Sequence, residues 1–418
     1  MRHRMRTSRF VSRERSALLA LVAIVGPGML AGLSDDDPAG ITTYSILGAD
    51  FGYRLLWVLL VSTAALILFH GLAVRMGIAT GRGLVAVIRY RYGRWPGWLS
   101  AGFLVVANLG TTAAELAGIA AGLQIAGVPL NVSVPVAAAT VSALIVAGSF
   151  HRVEHVLLVL SAIFVTYIAS GLLAHPRWGD VGKGLVIPNL PADRHAVLVA
   201  TATLGTTLAP WGLAFIQSYA VDKKLKPKDW RLTRVDITVG SVLTGIIGLF
   251  VVIATTETLY KAHHHIKDAK DAAVALAPLA GHLASTLFAI GLVGAGLLAA
   301  AILPLSTAYS VAEACGHEGS LDGKLKTEPI FYGTFVAVTV AAAAIVMIPG
   351  VPLVPILFLT QALNAVMLLP LLAMIIHLCR DAKLMGELRI GRVATPLAWG
   401  TFGLIAAAVV ALGVYSVP

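Results

Sequence analysis

The sequence predicts an all-α polytopic membrane protein whose single transmembrane domain is organised around two broken helices. Three observations carry this. The 418 residues are 58% hydrophobic and only 12% charged, with a mean hydropathy of +0.85, where a soluble domain carries about 25% charge. Apolar segments long enough for a ~30 Å hydrocarbon layer recur along the whole chain. The Lys and Arg residues fall mainly into alternate connecting segments.

Eleven spans are predicted, at about 16–49 (broken), 54–77, 97–125, 131–150, 153–174, 195–221 (broken), 233–256, 273–314, 330–348, 352–379 and 395–416. The eighth is long enough to project beyond the bilayer. Met1 to Arg15 is basic and precedes an apolar run, as in a signal peptide. No small-residue cleavage site follows, however, so residues 1–15 are read as a retained cytoplasmic tail and 16–418 as one transmembrane domain. With the amino terminus inside, 24 of the 31 Lys and Arg lie on the cytoplasmic side and 7 outside. The positive-inside rule then places the carboxyl terminus outside a plasma (inner) membrane. The same asymmetry accounts for the net charge of +10 by contact with anionic membrane lipid, with no nucleic-acid partner. The two cysteines, Cys315 and Cys379, are expected near cytoplasmic helix ends and imply no disulfide framework. No Walker loop, nucleophile–base pair or zinc spacing occurs, so an enzyme is not expected.

The first break is Ser34-Asp35-Asp36-Asp37-Pro38-Ala39-Gly40. An ionised Asp at mid-membrane costs roughly 3 kcal/mol on insertion scales, and Pro38 removes a backbone donor and clashes with the preceding turn. Carboxylates and exposed carbonyls at membrane depth read as a cation site. The second break, Thr203 to Gly212, interrupts the sixth span. Asp37-Pro-Ala-Gly40 and Ala209-Pro-Trp-Gly212 share an x-Pro-x-Gly core. The two interrupted segments lie five spans apart and run in opposite directions. That pattern predicts a five-plus-five inverted repeat, about 16–174 and 195–379, with an extra helix at 395–416.

Several further stretches resemble the Nramp family of divalent-metal transporters. They are Gly26-Pro-Gly-Met-Leu, Asp37-Pro38, Phe51-Gly-Tyr-Arg-Leu-Leu-Trp57, Met76-Gly-Ile-Ala-Thr-Gly-Arg82, Thr111-Thr-Ala-Ala-Glu115, Pro278 to Ile290, and Thr360-Gln361. The resemblance covers roughly residues 20–390 and implies a LeuT-like fold. In the family the first break reads Asp-Pro-Gly-Asn and the sixth Met-Pro-His. Here Asp37 keeps the carboxylate, Gly40 stands at the Asn position, Ala209 at the Met position and Trp211 at the His position. These changes resemble the Nramp-related magnesium transporters. A thioether favours softer ions and offers Mg²⁺ nothing, whereas Mg²⁺ keeps several waters and takes one or two carboxylates. The resemblance therefore implies a metal site of Asp37, Gly40, Thr206, Ala209 and Gln361. In it the carboxylate of Asp37, carbonyls near Thr206–Ala209 and the Gln361 amide oxygen hold a largely hydrated ion. Gly40 and Ala209 are expected to leave room for water. The family's proton route uses an Asp in helix three and a His in helix six. This chain has Thr112 and a His-free run, Phe215 to Ser218, at the matching places, which implies transport without proton coupling.

Other residues admit two readings each. Asp35 and Asp36 are ligands or solvated residues at a cavity mouth. Glu115 titrates or is a structural residue bonded to neighbouring hydroxyls. Trp211 walls the cavity or simply packs. Gln217 faces the cavity only if the helix resumes at the break. Asn364 supports Gln361 or packs helices. His70 is expected to be a hydrogen-bonded interior residue, and His263-His264-His265 a solvated surface triplet. No cofactor and no obligatory protein partner is expected beyond the transported Mg²⁺ or Mn²⁺. The competing functions are a proton-coupled Mn²⁺/Fe²⁺ carrier, an organic-solute carrier on the same fold, and a cation channel.

Overall fold

The computed structural model describes residues 27–147, 165–267, 269–317, 319–320, 323, 325–350 and 352–416. The basic tail 1–15, the opening of the first span and most of the fifth span lie outside the described residues.

Every described element is helical. The first span is split into α1 (Pro27–Ser34) and α2 (Pro38–Phe51). Then come α3 (Leu56–Thr80), α4 (Leu84–Tyr92), α5 (Arg94–Ile125), α6 (Leu130–Val146), α7 (Thr166–Leu173) and α8 (Trp178–Val186). The sixth span is split into α9 (Arg194–Thr207) and α10 (Pro210–Asp222). The chain continues with α11 (Trp230–Thr255), α12 (Ala284–Cys315), α13 (Pro329–Val346), α14 (Leu353–Arg380) and α15 (Ala394–Ser416). Among the described residues, eight helical stretches are long and apolar enough to cross a membrane; the split first span is not among them.

Boundaries follow local chemistry. Gly81 ends α3 in the left-handed region at φ 62°, and Gly316 ends α12 at φ 91°, conformations that cost glycine least. Pro38 and Pro210 occupy first-turn positions of α2 and α10, where the missing N–H has no helical partner to lose. The eighth span is shorter than expected. Regular helix begins at Ala284, because Pro278 and Gly281 (φ 52°) break 269–283 into short turns.

Connecting segments line two separate cavities. A cavity of about 460 Å³ is lined by residues from 51–54, 177–189 and 256–261. Another of about 640 Å³ is lined by residues from 81–94, 218–224 and 309–320. At this second, basic end Arg91 Nε lies 2.9 Å from Asp381 Oδ2, and that bond holds the Asp381 carboxyl below its usual range. Cys315 and Cys379 lie at the ends of α12 and α14, both as free thiols.

Two apolar clusters flank the breaks. One gathers residues of α2, α3, α4, α9, α11 and α14. The other gathers α5, α6, α10, α12 and α13, together with Ala39, Ala209 and Trp211 of the breaks themselves. Pro38 sits in a slot between helices. A Cβ on Gly118 would overlap Pro38 Cβ, and one on Gly296 would fall 3.2 Å from its Cγ. Small residues on α5 and α12 thus let the break approach closely, as helices in lipid commonly do.

Candidate functional site

The first break is built by its own sequence. The Asp35 N–H donates to the carbonyls of Ala31 (3.2 Å) and Gly32 (3.1 Å), closing α1. Pro38 cannot extend that ladder and biases the preceding residue away from helical ψ. Asp37 accordingly has φ −80° and ψ 169°. Its Oδ1 accepts the Gly40 N–H at 2.6 Å, and its carbonyl accepts the Ile41 N–H at 2.9 Å. Asp37 is therefore the N-cap of α2 as well as the candidate ligand. At the second break the Leu208 N–H closes α9 on Leu204 (3.1 Å), and Ala209 is extended at ψ 145° before Pro210. Among the described residues no backbone N–H is donated to the carbonyls of 205–208. Such orphan acceptors at a helix C-terminus favour a cation.

The two breaks meet at Gly40. A Cβ there would lie 2.6 Å from the Asp35 carbonyl, 3.1 Å from Asp37 Oδ1 and 3.4 Å from Thr206 Oγ1. This brings Asp37, Gly40 and Thr206 together. A side chain at Gly40 would begin where the Asp35 carbonyl already stands, so the glycine serves the close approach of the two breaks. Ala209 is 2% exposed and belongs to the apolar cluster with Ala39 and Trp211.

The remaining candidates divide. Asp35 and Asp36 are each 2% exposed, so the solvated-mouth reading fails. Asp35 Oδ2 and both Asp36 oxygens lack a hydrogen-bond partner among the described residues. Glu115, on α5, meets no hydroxyl. Its carboxyl lies beside that of Asp37, and neither of its oxygens has a hydrogen-bond partner among the described residues. Two carboxyls in contact repel unless a proton or a cation sits between them. Gln361 lies on α14, where its backbone packs on Gly205 of α9. Its Oε1 accepts from Asn364 Nδ2 at 3.0 Å, and Asn364 Nδ2 also reaches Thr111 Oγ1 at 3.0 Å. Asn364 thus orients Gln361, while leaving the amide oxygen a second lone pair.

Trp211 is 1% exposed and packs in the apolar cluster, its carbonyl accepting from Ser306 Oγ at 2.9 Å. Gln217 does not turn to the site: its Nε2 donates to the Arg82 carbonyl at 3.0 Å. His70 is interior, with its ring against Gly212, but neither nitrogen is hydrogen-bonded among the described residues. The histidine triplet diverges. His264 turns to Asp271 (2.9 Å) and His265 to Asp50 (2.6 Å), so it makes no common site. Among the described residues no three His, Cys, Asp or Glu side chains converge to hold a metal.

Sequence reasoning missed two features. Thr207 Oγ1 bonds to Tyr44 OH (2.9 Å) and receives Ser62 Oγ (3.1 Å), joining α9, α2 and α3. Nothing in the local sequence marks such a relay. Asp236 is 5% exposed inside α11, and an ionisable residue within a span was signal enough to flag it.

Two broken helices facing one another across a membrane bundle, with carboxylates at the crossing, define a secondary-transporter scaffold. Residues 28–415 match the family model for natural resistance-associated macrophage protein-like proteins. The chain belongs to this Nramp family, whose members are membrane transporters and not enzymes. It is 28% identical over 411 residues to the divalent metal cation transporter MntH of Klebsiella pneumoniae, covering 94% of both chains. The fold matches the Eremococcus coleocola manganese transporter with a TM-score of 0.76 at 20% identity, over 94% of this chain and 86% of that one. It also matches MhsT in complex with L-phenylalanine, with a TM-score of 0.62 at 13% identity, over 93% and 97% of the two chains.

Proposed function

We propose that this protein is a plasma-membrane carrier for hard divalent cations, moving Mg²⁺, with Mn²⁺ tolerated, as a largely hydrated ion and without proton coupling. The observation that carries the reading is the crossing at Gly40. Asp37, the Asp35 carbonyl and Thr206 lie at the junction of two helix breaks, with Ala209 in place of a thioether. Oxygen donors without sulfur suit a small, reluctantly dehydrated cation. Family membership and the MntH relative support a divalent-metal substrate. Eleven spans, a five-plus-five inverted repeat and a cytoplasmic amino terminus belong to the same proposal, with alternating access around the two breaks.

The test is Mg²⁺ influx into proteoliposomes holding a Mg²⁺ indicator, with Mn²⁺ as competitor and a pH dye in parallel. Saturable Mg²⁺ entry without acidification is the expected result. A second reading, proton-coupled Mn²⁺ or Fe²⁺ transport, is favoured by the Asp37–Glu115 contact, which offers a titratable pair at the site. Mn²⁺ entry with acidification and no Mg²⁺ flux would establish it. Restoring the sulfur should separate the two. In Ala209→Met, Mn²⁺ is expected to compete about tenfold better against Mg²⁺, the factor of one modest soft-ligand contact.

The outer end adds a pH prediction. Asp50, at the end of α2, receives His195 Nε2 of α9 at 2.7 Å and His265 Nδ1 at 2.6 Å, tying both breaks to the 261–267 segment. The bond to Asp50 holds the His195 imidazole above its ordinary range near 6.5, so this clasp stays charge-assisted through that pH and weakens only as pH rises beyond it. Uptake by the wild type is expected to rise as external pH climbs from about 6.5, the ordinary histidine value, to about 8.5 as the clasp loosens. His195→Gln with His265→Gln should flatten that profile, while the vesicle interior still shows no acidification.

A further inference from the structure

We infer that Asp236 is a latch that holds α1, the first half of the first broken helix, against α11 and thereby keeps the site shut from the basic end of the bundle. The inference rests on the carrier reading, because it assigns a position in an alternating-access cycle. α1 ends directly at Asp35–Asp37, so its position decides whether the carboxylates are covered from that side. Its Gly28 and Met29 amides are held by one carboxylate from far along the chain. The Gly28 N–H donates to Asp236 Oδ2 at 2.7 Å and the Met29 N–H to Asp236 Oδ1 at 3.1 Å. A buried carboxylate accepting two backbone N–H groups makes charge-assisted bonds.

A second, independent observation concerns the surface between the two helices. It is made of glycine and backbone. A Cβ on Gly28 would lie 2.5 Å from Ile237 Cα, and one on Gly32 2.7 Å from the Gly240 carbonyl carbon. In return, a Cβ on Gly240 would overlap the Gly28 carbonyl oxygen. Thr244 Oγ1 donates to the Gly32 carbonyl one turn further along. Gly28 and Gly32 thus present a small-xxx-small face that touches α11 through backbone, with polar bonds at both ends. Such a contact can part and re-form without repacking large side chains. The other half, α2, buries four large side chains, Ile41, Tyr44, Leu47 and Phe51, in the larger apolar cluster, whereas α1, among its described residues, gives the two clusters Leu30 and Ala31. The geometry therefore makes α1 the half that moves and Asp236 the residue that positions it.

The test reads the position of α1 directly. Ser34→Cys is placed at the end of α1 in a background with Cys315→Ala and Cys379→Ala, and its modification by a membrane-impermeant thiol reagent is timed from each face. The buffer holds no divalent cation, so the result does not depend on which ion is carried. Asp236→Asn removes the charge and leaves an amide facing two N–H donors. It is expected to speed modification from the basic face by about fivefold or more, the factor of a lost charge-assisted hydrogen bond. Gly240→Ala wedges the same interface sterically and should act in the same direction. Asp222→Asn alters an acid at the same end that pairs with Tyr309 and Ser320, and should leave the rate unchanged. Wild-type rates in both Asp236→Asn and Gly240→Ala would overturn the latch, as would an equal rise in Asp222→Asn. If Asp236→Asn does not fold, Gly240→Ala decides alone. A latch that tests true beside absent Mg²⁺ flux would leave the gate standing and remove the magnesium assignment.

Discussion

Asp37→Asn is expected to abolish most cation uptake while leaving the protein folded. Asparagine caps a helix about as well as aspartate, so its side-chain oxygen can still accept the Gly40 N–H that Asp37 Oδ1 accepts at 2.6 Å. What disappears is the charge. Two unit charges 4 Å apart attract by about 4 kcal/mol at an effective dielectric of about 20, and a divalent ion doubles that. Most of the gain is offset by the ion's reluctance to shed water. Since 1.4 kcal/mol already corresponds to about tenfold in affinity, a loss of at least tenfold in uptake at sub-saturating Mg²⁺ survives the offset. Asp37→Ala should transport no better and should also lose about 1 kcal/mol of stability with the cap. Uptake kinetics and thermal unfolding of the two variants separate ligand from cap. Wild-type uptake by the folded Asn variant would remove Asp37 from the site.

Much of this arrangement is legible in the amino-acid sequence. Proline and glycine in an apolar segment have few meanings at membrane depth, so Pro38 and Pro210 locate both breaks, and the helix ends at Ser34 and Thr207 lie close to them. Charge counting sorts the loops into two ends because membrane orientation depends on local Lys and Arg. The interior is less readable, for a physical reason. Hydrogen-bond partners of buried polar groups are set by helix rotation and register. Neither is encoded in a single segment's composition. Gln217 and Gln361 look equivalent in sequence, as amides one turn from an interruption or on a facing helix. Yet Gln217 reaches out to the Arg82 carbonyl and Gln361 inward to Asn364. Glu115 can be identified as intramembrane, but its contact with Asp37 depends on how α5 packs over Pro38 through Gly118. Asp236 is readable as an ionisable residue within a span, but its bonds to the Gly28 and Met29 amides depend on how α1 packs against α11.

Gly40→Ala is expected to destabilise the protein by about 1–3 kcal/mol, the usual cost of forcing a methyl into a filled interior, and to lower uptake with it. In an ordinary helix interior the same change would gain up to about 1 kcal/mol from propensity. The sign is reversed here because the nearest atom, the Asp35 carbonyl at 2.6 Å, is backbone and cannot rotate aside. Moving it displaces the loop that carries Asp36 and Asp37, so stability and transport should fall together. Gly40→Asn adds a larger side chain at the same point and should be worse. Inserting that amide, even beside Ala209→Met, will therefore not by itself rebuild the ligand pair of the main family. A thermal melt of Gly40→Ala in detergent, paired with Mg²⁺ uptake, checks this. An unfolding temperature at or above that of the wild type would mean the crossing has slack at Gly40. In that case the glycine serves to admit water, as the sequence alone suggests, and the close approach of the two breaks is not what selects it.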